Sequence, residues 1–426
     1  MIDYDTRPAS PIVCLYGQRQ SAAAYEIRDF LRRNGVNYDW VEIDRDPEAC
    51  RALGVEGVDD PRLPICVLPD GRRLDSATIE EVAAGLGLVA PPRLDEYDLA
   101  IVGGGPAGLA AAVYAASEGL RAVIVERVAA GGQAGTSSLI ENYLGFPNGI
   151  SGNLLADRAK EQALRFGAEL LLARRLVRLR PERGEYAGVL SDGSVVRARA
   201  VLMATGVEWR RLEVPGIDQL LGRGVYYGAG PSEAPGYAGA AVAVVGGGNS
   251  AGQACLYFSR YARSVTMLVR GEGLSDSLSQ YLVDRIATTD NIDVRLRSRV
   301  VGVEGEGRLR ALAVQEGSGP PGALPVDALF VCIGGTPHTE WAEELPVARE
   351  ESGYLLTGTD LLDGGRPPAG WTRARQPFPL ETSLPGLFAA GDVRYGSMKR
   401  CSAAIGEGAM AVALVHRFLA ETPGPG

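Results

Sequence analysis

Apolar and polar positions change period twice along the chain. In residues 10–88, a short apolar run (11–16) is closed by Gly17, and Tyr25, Ile27, Phe30 and Leu31 then recur at helical spacing across 21–33. Residues 38–44 alternate as a strand does, 63–68 and 72–74 flank the turn Pro69-Asp70-Gly71, and a helix is predicted over 76–85. Adjacent prolines at 91 and 92 make 89–96 a stiff linker. Beyond it the pattern becomes strand, glycine turn and helix. Strands are predicted at 98–102, 122–126, 241–245 and 265–269, and helices at 109–118, 252–261 and 402–419.

Two of the glycine turns carry chemistry. The first strand runs into Gly103-Gly104-Gly105-Pro106-Ala107-Gly108, and Glu126 ends the next strand eighteen residues past Gly108. Gly103 permits the tight turn, Gly105 lets backbone approach a pyrophosphate and Gly108 lets helix pack on strand, while the helix start offers N–H groups and positive dipole. Glu126 stands where a carboxylate accepts from an adenosine ribose. The second turn is Gly246-Gly247-Gly248-Asn249-Ser250-Ala251, so two dinucleotides are expected on one chain. The strand after it ends in Arg270 rather than an acidic residue. An arginine there holds a 2′-phosphate that a carboxylate would repel, which favours NADPH over NADH.

Three further stretches complete a resemblance to the low-molecular-weight thioredoxin reductases, FAD- and NADPH-dependent oxidoreductases. They are Gly131-Gly132-Gln133-Ala134-Gly135 with residues 140–147, Ala204-Thr205-Gly206, and Gly391-Asp392. The resemblance covers 97 to about 420 and implies FAD contacts at Gly132, Gln133, Asn142, Ala204, Thr205, Gly206, Gly391 and Asp392. It also implies that Lys399-Arg400-Cys401 opens a helix aimed at the flavin, where positive charge would stabilise the reduced ring, with Lys399 adding to it or standing as a solvated surface lysine. The order of motifs makes the FAD domain discontinuous, 97–214 and 334–420, with the NAD(P)H domain inserted at 215–333. The order of elements in 10–88 resembles the glutaredoxin and thioredoxin fold, with Pro64 where that family places its cis-proline. The fold class expected is therefore α/β: two doubly wound, Rossmann-like nucleotide-binding domains behind a thioredoxin-like α/β domain.

The resemblance departs at the thiols. The thioredoxin-like domain has Gly17-Gln18-Arg19-Gln20-Ser21 where that family has C-x-x-C, so it is either a packed appendage or a groove for a thiol or protein ligand. The reductases carry C-x-x-C ahead of the second fingerprint; here Gly228 and Pro231 fill those positions. An enlarged cavity lined by Tyr226, Tyr227 and Gly228 is expected in the vacated space, with Glu233 donating or accepting a proton or standing as a solvated loop residue. Cys401 is the thiol placed near flavin, as a low-pKa helix-terminal thiolate or as a packing residue. In the family's shorter region, 361–375 adds Trp371 and three arginines, a surface loop or a cover. The usual His-Arg-Arg is Val269-Arg270-Gly271, one arginine short.

Composition removes several other classes. A net charge of −9 argues against nucleic-acid binding. Two histidines and six cysteines without ligand spacing leave no metal centre or serine triad to build. The start Met1-Ile2-Asp3-Tyr4-Asp5 lacks an export pattern, and the apolar stretch 99–116 is broken by glycines; a cytoplasmic protein without membrane spans is expected. Electrons from NADPH would pass through FAD to oxygen, a quinone-like acceptor or a small substrate. The alternatives are a disulfide reductase using Cys401 or a partner's cysteines, and a non-catalytic redox-sensing flavoprotein with a protein partner on its N-terminal domain. A homodimer is what the resemblance implies.

Overall fold

The computed structural model describes residues 12–18, 21–137, 139–140, 142–182, 184–228, 234–275 and 277–422. Among them are eight α-helices: α1 (Ala22–Arg33), α2 (Pro47–Leu53), α3 (Ile79–Gly85), α4 (Pro106–Ser117), α5 (Gly152–Arg165), α6 (Asn249–Phe258), α7 (Gln280–Ala287) and α8 (Cys401–Glu421). Two compact units form, each from segments distant in sequence. One joins the residues up to Gly87 with Trp209–Gly334; the other joins Leu88–Glu208 with the residues from Gly335 onward.

In the first unit, the N-terminal segment builds a four-stranded sheet in the order Tyr38–Glu42, Val13–Gly17, Ile65–Val67, Arg73–Leu74. The first pair is parallel and the other two antiparallel. Ser21 caps α1 by accepting from the Ala24 N–H, and α1 buries Ala24, Ile27, Phe30 and Leu31. Thr78 and Glu81 cap α3 reciprocally, and the Leu63–Pro64 peptide is cis. The rest of this unit holds a parallel sheet ordered Val225–Tyr227, Ala328–Val331, Ala241–Val245, Ser264–Leu268, Ile292–Arg295. Its central strands are apolar almost without break because both faces are covered. A three-stranded antiparallel sheet follows (Ser298–Glu304, Ala311–Glu316, Gly322–Pro325).

The two parts of this unit meet at α1. Tyr226 stacks on Phe330 at 5.2 Å and meets Tyr25 of α1 at 5.9 Å. Gly222, at φ +70°, lies so close to the start of α1 that an added Cβ would be 3.2 Å from Ala22 backbone.

The second unit is built on a seven-stranded mixed sheet. Its path runs Glu169–Leu171, Ala122–Val125, Tyr97–Val102, Val195–Met203, Glu185–Leu190, Leu176–Glu182, and Leu387–Ala389 pairs in parallel with the end of Val195–Met203. Helices α4 and α8 cover one face; Gly408 of α8 sits so near α4 that a Cβ there would lie 2.1 Å from the Ala107 carbonyl oxygen. α8 is long and apolar enough to cross a membrane by composition, and here its buried side faces this core. The segment 361–375 is tied down as well. Arg375 stacks 3.5 Å over Phe378, pairs at 2.6 Å with the fully buried Glu381 and at 2.7 Å with Glu421, and accepts from the Trp371 indole.

Both fingerprint helices start three residues earlier than their apolar periodicity predicts, at Pro106 and Asn249. Proline is suited to the first helical position, where its missing N–H costs nothing, so Pro106 opens a helix here rather than delaying it.

Candidate nucleotide-binding sites

In the second unit the first fingerprint is assembled by backbone approaches that leave no room for side chains. Gly103, at φ +105°, lies against the Ala204 carbonyl, where a Cβ would come within 2.3 Å of the oxygen; at Gly108 a Cβ would come within 1.9 Å of the Gly103 oxygen. Gly131 donates to the Gly104 carbonyl at 2.7 Å, and a Cβ on Gly132 would lie 3.1 Å from Gly105 Cα. The expected contacts Gly103, Gly105, Pro106, Ala107, Gly108, Gly132, Ala204, Thr205 and Gly206 thus surround one turn. Thr205 is fixed by its hydroxyl donating to the His338 carbonyl at 3.0 Å, and Gln133 by donating to the Val207 carbonyl at 2.5 Å.

Glu126 is buried behind the same turn. One carboxylate oxygen accepts from Gly104 N–H at 2.7 Å, the other from Val128 and Ala129 N–H. Three backbone donors hold it, and a carboxylate keeps lone pairs for ribose hydroxyls. Asn142 stands apart on an exposed loop beside Tyr143, which stacks on Phe146 at 5.9 Å.

Gly391-Asp392 adjoins α4 and α8. Gly391, at φ +75°, donates its N–H to Glu407 at 2.7 Å, and Glu407 pairs with Arg394 at 2.6 Å. Among the described residues no donor satisfies the Asp392 carboxylate, and burial pushes its pKa up. Such an unpaired acid fits a flavin chain bearing hydroxyl donors. Lys399 is not a free surface charge: its ammonium donates to the Asp392 carbonyl at 2.7 Å and lies 4.4 Å over the Tyr354 ring. Arg400 precedes α8 and is exposed. Glu407 was not apparent from sequence; a lone acid in the second turn of an apolar helix was the available signal.

Cys401 begins α8 and lines, with Leu109, Val113, Tyr143, Leu155 and Ile405, a largely apolar groove of about 540 Å³. Burial and the nearby Asp392 charge push its thiol up to about 11, the opposite of the low-pKa thiolate considered from sequence. Cys401 is a protonated thiol at neutral pH.

The second fingerprint, in the first unit, repeats the plan. A Cβ on Gly246 would lie 2.2 Å from the Cys332 carbonyl oxygen, as one on Gly103 would from Ala204. The third position is Ala251 rather than glycine, fully buried. Asn249 accepts from Ser279 N–H at 2.7 Å, Ser250 is exposed on the first turn of α6, and Arg270 is exposed at the end of its strand. Side chains cap α1, α2, α3 and α5, whereas Gly105 before α4, Gly248 before α6, Ser279 before α7 and Arg400 before α8 supply none. Uncapped N–H groups at two glycine turns fit pyrophosphate.

Of the positions expected to line a vacated cavity, Tyr226, Tyr227 and Gly228 are each engaged within their own unit, while 229–233 lie outside the described residues. Tyr226 is buried, donating to the Gly222 carbonyl, and the Tyr227 hydroxyl accepts from Leu212 N–H at 2.9 Å. Gly228, at φ +89°, packs on Trp209, whose ring would lie 3.0 Å from an added Cβ. The glycine accommodates an indole rather than opening space. Glu233 lies outside the described residues.

Residues 97–408 match the family model for pyridine nucleotide-disulphide oxidoreductases. The thioredoxin reductase of Listeria monocytogenes is 32% identical over 327 residues, covering 76% of this chain and 94% of that protein. The bifunctional thioredoxin reductase/thioredoxin of Mycobacterium leprae is 34% identical over 330 residues, 77% of this chain and 67% of that one. Among solved structures, the thioredoxin reductases of Lactococcus lactis (26% identity) and T. acidophilum (27%) each superpose with a TM-score of 0.68, covering 76% of this chain and 99% of theirs. With paired glycine turns, an unpaired aspartate and this kinship, the chain belongs to the thioredoxin reductase-like pyridine nucleotide-disulphide oxidoreductases, enzymes that use FAD and NADPH.

Proposed function

We propose that this chain is an NADPH-dependent FAD oxidoreductase whose electrons leave for an acceptor from outside the chain. The observation that carries this reading is the state of its thiols. No two of the six cysteines have C-x-x-C spacing, and all six are free. Burial pushes Cys66 up to about 11 and Cys332 to about 12, and raises Cys255 well above the ordinary range. Bound FAD would supply a two-electron carrier between reduced nicotinamide and that acceptor. The protein's part is to hold pyrophosphate on uncapped helix starts, ribose on Glu126 and the flavin chain on Asp392, with Lys399 and the start of α8 adding positive potential.

Kinship with thioredoxin reductases favours a disulfide acceptor, carried by a partner protein or a small molecule and meeting Cys401. The thiols favour oxygen, a quinone-like oxidant or a small substrate. Anaerobic reduction by NADPH, followed by rapid mixing with DTNB, benzoquinone or oxygen, separates them. Fast DTNB turnover that disappears in Cys401→Ser establishes the disulfide reading; fast reoxidation by quinone or oxygen with little DTNB turnover establishes the other. Failure of NADPH to reduce bound flavin within seconds would refute both and leave a redox-sensing role.

Strand order in the N-terminal segment supports a thioredoxin-like domain. Ser21 and Ala22, at the end of the stretch where that fold would carry its thiols, lie against Gly222, which supports a packed appendage rather than an open groove. A cytoplasmic homodimer completes the proposal, by kinship alone, and sedimentation velocity checks the stoichiometry.

A further inference from the structure

The stretch around Arg270, just past the strand Ser264–Leu268, is one arginine short of the pattern its family uses for a 2′-phosphate, and the backbone of a second arginine is hydrogen-bonded beside it. Residues 295–298 wrap around the end of that strand: Val269 N–H donates to the Arg295 carbonyl at 2.9 Å, Ser298 N–H to the Val269 carbonyl at 2.9 Å, and Arg297 N–H to the Gly271 carbonyl at 3.0 Å. Arg297 is thereby hydrogen-bonded to the residue that stands where the missing arginine would be. It holds a left-handed backbone, φ +50°, a conformation in which asparagine or glycine is the usual occupant and arginine is uncommon.

Its neighbours are already engaged. Arg295 pairs with Asp293 at 2.9 Å and Glu316 at 3.4 Å, and Arg299 donates to the Gln315 side chain at 2.6 Å. Among the described residues, neither the Arg270 nor the Arg297 guanidinium has an ion pair or hydrogen bond, and both are exposed. Two unpaired guanidinium groups beside one strand end match a phosphate dianion, which takes several charge-assisted hydrogen bonds from arginine forks.

We propose that Arg297 is a specificity-determining residue for the nicotinamide cofactor, joining Arg270 to bind the 2′-phosphate and replacing the absent second arginine. This rests on the reading of the chain as NADPH-dependent. The test is equilibrium binding to the FAD-loaded full chain, with adenosine 2′,5′-bisphosphate and adenosine 5′-monophosphate as probes. Arg297→Asn suits the left-handed backbone and removes the guanidinium. It is expected to weaken the bisphosphate roughly tenfold while leaving the monophosphate within about twofold. An Arg297→Asn protein that keeps the wild-type preference, or loses both probes equally, overturns the proposal. Arg270→Ala separates the levels: if it abolishes the preference while Arg297→Asn does not, only the Arg297 assignment falls. A wild type that does not distinguish the probes overturns the NADPH reading beneath it.

Discussion

Replacing Gly108 by alanine tests how the flavin cradle is built. The new methyl carbon would lie 1.9 Å from the Gly103 carbonyl oxygen and 3.2 Å from Ile101 Cγ2, so α4 must move by more than 1 Å to reach ordinary contact. It has nowhere to go. On its other side Gly408 of α8 approaches the Ala107 carbonyl so closely that even a Cβ would lie 2.1 Å away. Overpacking of this kind costs about 3 kcal/mol when relaxation is blocked. The displaced helix start would also lose its aim at the pyrophosphate; two misplaced N–H donors, at about 1.5 kcal/mol each, weaken FAD binding roughly a hundredfold. The assay is flavin content from the visible spectrum of purified protein, with the Kd for FAD from quenching titration of the apoprotein. Ala251→Gly at the equivalent position of the second fingerprint is the control, and should leave flavin content unchanged. A Gly108→Ala protein purified with stoichiometric, tightly held FAD would refute the packing argument.

Glu381→Ala should destabilise the flavin half by about 4 kcal/mol in denaturant titration, because it breaks the buried half of the Arg375 ion-pair network, leaving Arg375 only Glu421, and strands the buried N–H groups of Phe378 and Gly386 that share this carboxylate. Asp392→Asn should have opposite effects on stability and binding. Burial raises the Asp392 pKa in the folded protein, so its ionisation opposes folding and apoprotein stability falls as pH rises from 3.8 through the raised value. The variant's apoprotein should therefore melt higher than wild type at neutral pH and bind FAD more weakly; equal melting temperatures at pH 7 would count against this. Cys401, raised from 9.0 to about 11, should be alkylated by iodoacetamide at pH 8 about a hundredfold more slowly than an ordinary thiol, as measured by peptide mass mapping.

Much of the flavin half was legible because its requirements are local. A strand, a glycine turn and a helix lie within a dozen residues, and Glu126 stands at the next strand end, so sequence neighbours are also spatial neighbours. The Ala204 carbonyl over Gly103, or Arg297 beside Gly271, arises from crossing strands, and no local period records which backbone approaches which. The surroundings of Gly228 are hidden for a related reason. Glycine in place of a larger residue reads as vacated space, yet Trp209, nineteen residues earlier, fills it. Cys401 illustrates a third limit: burial raises a thiol's pKa against the lowering a helix start provides, and burial was not visible in its neighbours along the chain.

The placement of Gly222 against Ser21 and Ala22 sets a schedule for biosynthesis. About two hundred residues separate the partners, and the entire segment 88–208 must leave the ribosome between them. At about 5–20 residues per second, the face of α1 bearing Tyr25 waits roughly 10–40 s before its docking surface is translated. During that interval the nascent chain exposes an aromatic face that a chaperone can occupy, and slower decoding within 88–208 would lengthen the exposure.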